Sequence, residues 1–175
     1  MIDLDTPAVA ALRQRLLDIG GAPSLVLEGR EANRQLGHPF EDNPRAKALF
    51  DATFELMYLM LEADNRVTEA EELVLRGVAR ELTEGVVRTQ TVLALAGECA
   101  RMLDREGKDA RLAAVAKVLA ADTASAEAAL VLAAAVAMAD EEIAVEEHAL
   151  LHSLAKLLKL DDARANELLR QASRG

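Results

Sequence analysis

Between Ala128 and Ala139 the chain runs for 12 residues without a charged or polar side chain, and seven of the 12 are alanine. A helix that is apolar all round has no face to give to water, so neighbours must cover it on every side. Twelve residues rise only ~18 Å as a helix, well short of the ~30 Å hydrocarbon core of a bilayer. The run therefore predicts a central core helix in a folded domain, and its alanines allow neighbouring backbones to come close.

The rest of the chain supplies helices to cover it. Ala, Leu, Glu and Arg dominate, β-branched alternation is scarce, and strand signals are almost absent. Thr6-Pro7 and Asn43-Pro44 each read as an N-cap followed by proline at the first helical position, and Gly20-Gly21 and Gly37-His38-Pro39 read as stops. Nine helical stretches follow: 7 to 20, Leu25 to Leu36, 44 to about Ala63, Thr68 to Leu82, Val87 to Leu103, Lys108 to Ala121, Ser125 to Ala139, Val145 to Lys159 and Asp161 to Ala172. The expected fold is all-α, a compact bundle of about seven to nine helices. Residues 1–42 form an N-terminal helical extension and 43–175 the main helical domain.

Charge narrows the function classes. Twenty basic against 30 acidic residues give a net charge of −10, and there are four aromatic residues and no Trp. Nucleic-acid binding needs basic surface and usually stacking rings, so it is not expected, and cations or basic proteins are the natural partners. An apolar content of 51% argues against disorder. The start, Met1-Ile2-Asp3-Leu4-Asp5, lacks the basic residues of a signal peptide, and a cytoplasmic protein without membrane insertion is expected. The single Cys99 lies among Leu95, Ala96, Ala100 and Leu103 and reads as a small core residue.

An offset of 76 residues aligns Phe54–Leu82 with Leu130–Leu158. Identities fall at Leu56/Leu132, Ala63/Ala139, Asp64/Asp140, Glu71/Glu147, Leu75/Leu151, Ala79/Ala155 and Leu82/Leu158. Ala and Leu matches are cheap in this composition. The two matched carboxylates, with Val67 or Ile143 between them, carry more information and mark an internal repeat, 44–84 and 125–172.

On one unbroken helix the Asp and the Glu would stand ~10.5 Å apart along the axis, too far to share a ligand. A break between them lets them converge. In the first repeat Asn65 and Thr68 suit such a break, and Thr68-x-x-Glu71 also fits a capping box, which explains Glu71 without a ligand. In the second repeat the cap position is Ala144, so only half the box remains. Glu147 lies on the stripe formed by Leu150, Leu151, Leu154, Leu157 and Leu158, and an inward carboxylate must be paired, protonated, metal-bound or at a helix start. Five carboxylates and no basic residue lie between Asp140 and Glu147, whereas the first loop carries Arg66. The candidate metal ligands are Asp140 and Glu147, then Asp64 and Glu71. Hard oxygen ligands suit calcium or magnesium better than zinc.

The segment Val136-Ala-Met-Ala-Asp-Glu-Glu-Ile-Ala-Val-Glu-Glu147, followed by Leu150-Leu-His-Ser-Leu-Ala-Lys-Leu-Leu158, resembles the TerB-like family of the tellurite-resistance system. The first copy reads Glu62-Ala-Asp-Asn-Arg-Val-Thr-Glu-Ala-Glu71. The resemblance covers roughly residues 45 to 172. It implies an all-helical domain of two interlocked repeats, a role in stress and tellurite resistance, and metal binding by acidic positions that fall here on Asp64, Glu71, Asp140 and Glu147. Asn65 and Glu141 stand where the family has glycine.

His148 and His152 are spaced to share a metal on one helix, but His152 points away from the leucine stripe and both read as surface residues. No catalytic triad spacing, phosphate loop or nucleotide fingerprint is present, so no catalytic residue and no resident cofactor are expected. The functional expectation is a non-enzymatic, acidic stress-response module that docks onto protein partners and takes a divalent cation in its acidic loops. The alternative is a metal-free scaffold in which the four carboxylates are helix caps.

Overall fold

A computed structural model describes residues 7–20, 38–63, 68–139 and 145–172. Among them are eight α-helices and no strand: α1 (Pro7–Gly20), α2 (Pro44–Leu61), α3 (Glu69–Glu81), α4 (Thr89–Glu106), α5 (Lys108–Leu119), α6 (Thr123–Ala137), α7 (Val145–Leu157) and α8 (Asp162–Ala172). The all-α expectation holds. The helix expected over 25–36 lies outside the described residues, as do Thr6 and Gly21.

Local chemistry sets most of the ends. The Asn43 side chain accepts from the backbone N–H groups of Arg45 and Ala46, with Pro44 at the first position of α2. Thr68 caps α3. Asp122 caps α6 by accepting from the Ser125 N–H, so α6 begins two residues earlier than Ser125. Gly107, at φ +83°, turns α4 sharply into α5, a backbone conformation that L side chains rarely adopt.

Two helices form the centre. In α6 every residue from Ala128 to Ala137 is buried. In α2 the buried set runs unbroken from Ala52 to Met57 and resumes from Leu59 to Leu61. The polar residues in that run are accommodated individually. The Thr53 hydroxyl donates to the Leu49 carbonyl at 2.8 Å, and Glu55 is ion-paired. The other helices wrap this pair. α1 lies along α6 and also touches α2, while α5 lies along α2 and also touches α6. α3 and α4 cover α2, and α7 and α8 cover α6. The first helix of each four-helix half thus leans on the central helix of the other half, which interlocks the two. Val9, Leu12 and Leu16 bring α1 into the same core cluster as Phe50, Phe54, Leu130 and Leu132.

The repeat is visible in three dimensions. The 76-residue offset carries Glu69–Glu81 onto Val145–Leu157, the bounds of α3 and α7. It also carries the buried set of α3 (Glu71, Leu75, Val78, Ala79) onto that of α7 (Glu147, Leu151, Leu154, Ala155). The stripe predicted on α7 is correct at Leu151, Leu154 and Leu158, but Leu157 is 40% exposed. At the last turn of the helix it points past the core.

A candidate metal centre in the paired helix loops

The two loops join α2 to α3 and α6 to α7. Each brings a carboxylate into the first turn of its second helix, where free backbone N–H groups and the helix dipole favour an anion. Glu71 and Glu147 are both buried, at 3% and 4% exposure. Their predicted partners, Asp64 and Asp140, lie outside the described residues. Among the described residues no group of three or more His, Cys, Asp and Glu side chains is placed to hold a metal ion.

In the first loop Glu71 has a local role. Its Oε2 accepts from the Thr68 backbone N–H at 2.7 Å and from the Thr68 hydroxyl at 2.7 Å, while the Thr68 Oγ1 accepts from the Glu71 N–H at 3.2 Å. This is a complete capping box. An internal cation lies at the start of the same loop: the Lys108 ammonium, reaching across from α5, donates to the carbonyls of Glu62 and Ala63 at the C-terminal end of α2. Lys at a helix C-terminus satisfies orphan carbonyls and the negative end of the dipole. The carbonyls next to Asp64 in the chain thus hold an internal cation, and a metal ion fits poorly there. The equivalent carbonyls of the second repeat would be those of Met138 and Ala139, and no Thr stands at position 144 to close the second box. Thr68→Ala is expected to lower stability by about 0.5–2 kcal/mol, the usual cost of losing a side-chain cap, measured by urea denaturation.

His148 and His152 are exposed and their rings stack at 6.1 Å, in agreement with a surface pair. His38 does not behave as an ordinary loop residue. It is 8% exposed, its Nδ1 accepts from the Phe40 N–H at 3.0 Å, and its Nε2 lies 2.6 Å from Asp51 Oδ1. With Nδ1 accepting, the proton sits on Nε2 and is donated to Asp51, whose other oxygen receives Lys47 at 3.2 Å. The imidazole also meets the Phe50 ring edge-on at 5.4 Å. This arrangement pins the 38–43 turn to α2.

A second buried polar cluster was not foreseen from the sequence. The Glu55 carboxylate receives the Arg111 guanidinium through two bonds, Nε–Oε1 at 2.6 Å and Nη2–Oε2 at 2.8 Å, and Arg111 Nη1 reaches Glu106 at 2.8 Å. The side chains are 6% and 16% exposed for Glu55 and Arg111. The bonds to Glu55 and then Glu106 hold the guanidinium proton more firmly than usual. The only sequence signal was a lone charge at Glu55 inside an otherwise apolar stretch.

Cys99 is buried on α4. Burial, reinforced by Glu55 and Asp51, pushes its thiol up to about 12. Few thiolates form near neutral pH, so the side chain is a core residue and a poor nucleophile. Burial first, then the Glu62 carboxylate, raises the Tyr58 phenol to about 12. Both groups hold their protons longer in the folded state than in the unfolded chain. Their contribution to stability is therefore full below about pH 9, the ordinary thiol value, and is lost as pH rises towards 12. Urea midpoints are expected to fall across that window, and a Cys99→Ser variant should show a shallower fall.

Comparison of the chain with protein-family models, with curated proteins and with solved structures returned no match.

Proposed function

We propose that this chain is a non-enzymatic helical module akin to the TerB-like proteins, acting in stress or tellurite resistance by docking onto protein partners. In this reading the second acidic loop takes a divalent cation, calcium or magnesium, with Asp140 and Glu147 as ligands. The observation that carries it is the duplication. In two helix–loop–helix units the second helices coincide in bounds and buried residues and the first helices coincide at their C-terminal ends, and each unit buries a glutamate in the first turn of its second helix. The two loops differ in charge. The first has Arg66 in sequence and Lys108 bound to its leading carbonyls, while the second holds five carboxylates and no basic residue between Asp140 and Glu147. A cation is the economical way to relieve that repulsion.

The capping box of Thr68 and Glu71 supports the rival reading for the first loop, a helix cap and nothing more. Thermal unfolding of the full chain with calcium, magnesium, manganese or zinc, with and without chelator, separates the two. Ligand at 100 times its Kd stabilises by ~2.7 kcal/mol. The expected result is a chelator-reversible rise in Tm that Asp140→Asn with Glu147→Gln abolishes and Glu71→Gln leaves in place. A metal response untouched by the double variant, or none at all, overturns the cation reading and leaves the scaffold reading.

A further inference from the structure

The two halves of the fold differ most where α4 and α8 settle on their central helices. The 76-residue offset continues through these helices, carrying Val92, Leu93 and Ala96 onto Leu168, Leu169 and Ala172. On the central helices, however, Tyr58 and Leu61 of α2 correspond to Ala134 and Ala137 of α6. Small residues let α8 pack extensively on α6, whereas the larger Tyr58 and Leu61 stand between α2 and α4, which touch over less of their length. The outcome in the first half is a cleft of about 240 Å³ between α2, α3 and α4. Bulk on α2, where α6 has alanine, thus keeps α4 from closing fully on α2 and opens this space.

The lining of that cleft is chemically divided. Leu61, Leu75 and Val92 are buried and make an apolar floor, and Leu93, at 58% exposure, forms one lip. The opposite edge is polar. Tyr58 donates its hydroxyl to Glu62 Oε1 at 3.1 Å, and Arg76 reaches Glu72 at 2.8 Å. Among the lining residues Arg76 neutralises Glu72, which leaves the Glu62 carboxylate as the uncompensated lining charge, while Lys108 lies outside the lining on the Glu62 backbone carbonyl. Among the described residues the side-chain partner of the Glu62 carboxylate is the Tyr58 hydroxyl, which carries no charge. Asp104, on α4, adds to the negative field at Tyr58, the same field that helps to raise its phenol. In the second half the corresponding positions hold Met138, His148 and His152, which offer no carboxylate.

We propose that this cleft binds a compact amphiphilic cation, a small amine whose apolar body lies on Leu61, Leu75 and Val92 and whose ammonium meets Glu62. The floor supplies apolar contact and Glu62 supplies a charge-assisted hydrogen bond, with the Tyr58 hydroxyl holding the carboxylate at the edge of the cleft. The cleft is smaller than the ~300–1,000 Å³ of drug-sized sites, which limits the ligand to a short alkyl or single-ring amine. The site takes Glu62 from the start of the α2–α3 loop but none of Asp64, Glu71, Asp140 and Glu147, so it stands or falls independently of the metal reading.

Titration of the full chain with n-hexylammonium, 1-hexanol and hexanoate, followed by amide chemical shifts, tests it. Saturable shifts at Glu62, Leu93 and Ala96 are expected with the ammonium, and binding about tenfold weaker with hexanoate. Glu62→Gln should remove the preference for the amine with no change in Tm. Leu93→Asn, at an exposed position, should weaken all three probes. Equal binding of ammonium and carboxylate, an unchanged preference in the Glu62→Gln variant, or the lack of saturable shifts overturns the proposal. Binding of a Lys-Leu peptide without binding of n-hexylammonium also overturns it, because the site would then serve a protein partner.

Discussion

Arg111→Met is expected to lower the free energy of unfolding by about 3–5 kcal/mol, the cost of removing one partner of a buried ion pair. The substitution keeps the apolar stem of the side chain as far as the position of Nε but leaves the Glu55 carboxylate, 6% exposed, without its two charge-assisted bonds. The cost is that of a charge stranded between α2 and α5. The net worth of the ion pair itself is much smaller, because both groups lose hydration on folding. The double variant Glu55→Leu with Arg111→Met should therefore recover most of the loss. Urea denaturation of wild type, both single variants and the double variant measures it. A double variant no more stable than the singles would show that the pair does more than neutralise itself. Glu106, on the surface side of Arg111, lies in water, and its removal should matter little.

Leu132→Ala is expected to cost about 2–5 kcal/mol, as for other fully buried leucines cut to alanine. Leu132 is 0% exposed on α6, the helix that α1, α2, α3, α7 and α8 all pack against. Few neighbours can move into the space, because each is itself held against a second helix. Leu56, its counterpart on α2, is also 0% exposed and should show a loss of the same order. Leu93→Ala provides the control: at 58% exposure it should change stability by less than ~0.5 kcal/mol. Equal losses at Leu93 and Leu132 would contradict the central placement of α6.

Most of the helix map was readable because its signals are local. Asn43-Pro44 sets the start of α2 through two cap bonds and the fixed φ of proline, all within four residues. Thr68 and Glu71 do the same for α3. The fully apolar run of 128–139 announced the most buried helix. The centrality of α2 was harder to see, because Thr53 and Glu55 interrupt its apolar residues. A threonine that bonds back to the carbonyl four residues earlier and a glutamate with a distant arginine can both be buried, yet neither shows as hydrophobic periodicity. The burial of His38 is hidden in the sequence for a similar reason. Its burial depends on Asp51 and Phe50, which a reading of the Gly-His-Pro turn does not contain.

The candidate site divides the same way. The buried positions of Glu71 and Glu147 follow from helical periodicity, and the capping box follows from Thr68-x-x-Glu71. Lys108 does not: it lies 45 residues from the Ala63 carbonyl that it bonds, and only the packing of α5 on α2 brings them together. The cleft at Tyr58 and Glu62 depends on how far α4 stands from α2, a distance set by side-chain volume across an interface.

The ends of α4, α5, α6 and α7 moved by two or three residues from their expected places. By itself, then, the sequence determined the all-helical class, the capped starts of α2 and α3, the matched Asp–Glu spacing and the acidity of the second loop. These rest on hydrogen bonds and periodicities that span a turn or two of chain. Tertiary structure alone decided that α1 would cover α6 and α5 would cover α2, that Glu55 would find Arg111, and that a cleft would open between α2, α3 and α4. Those outcomes depend on which side chains fill the space between helices far apart in the chain, and volume and charge across such a gap are read only once the helices are packed.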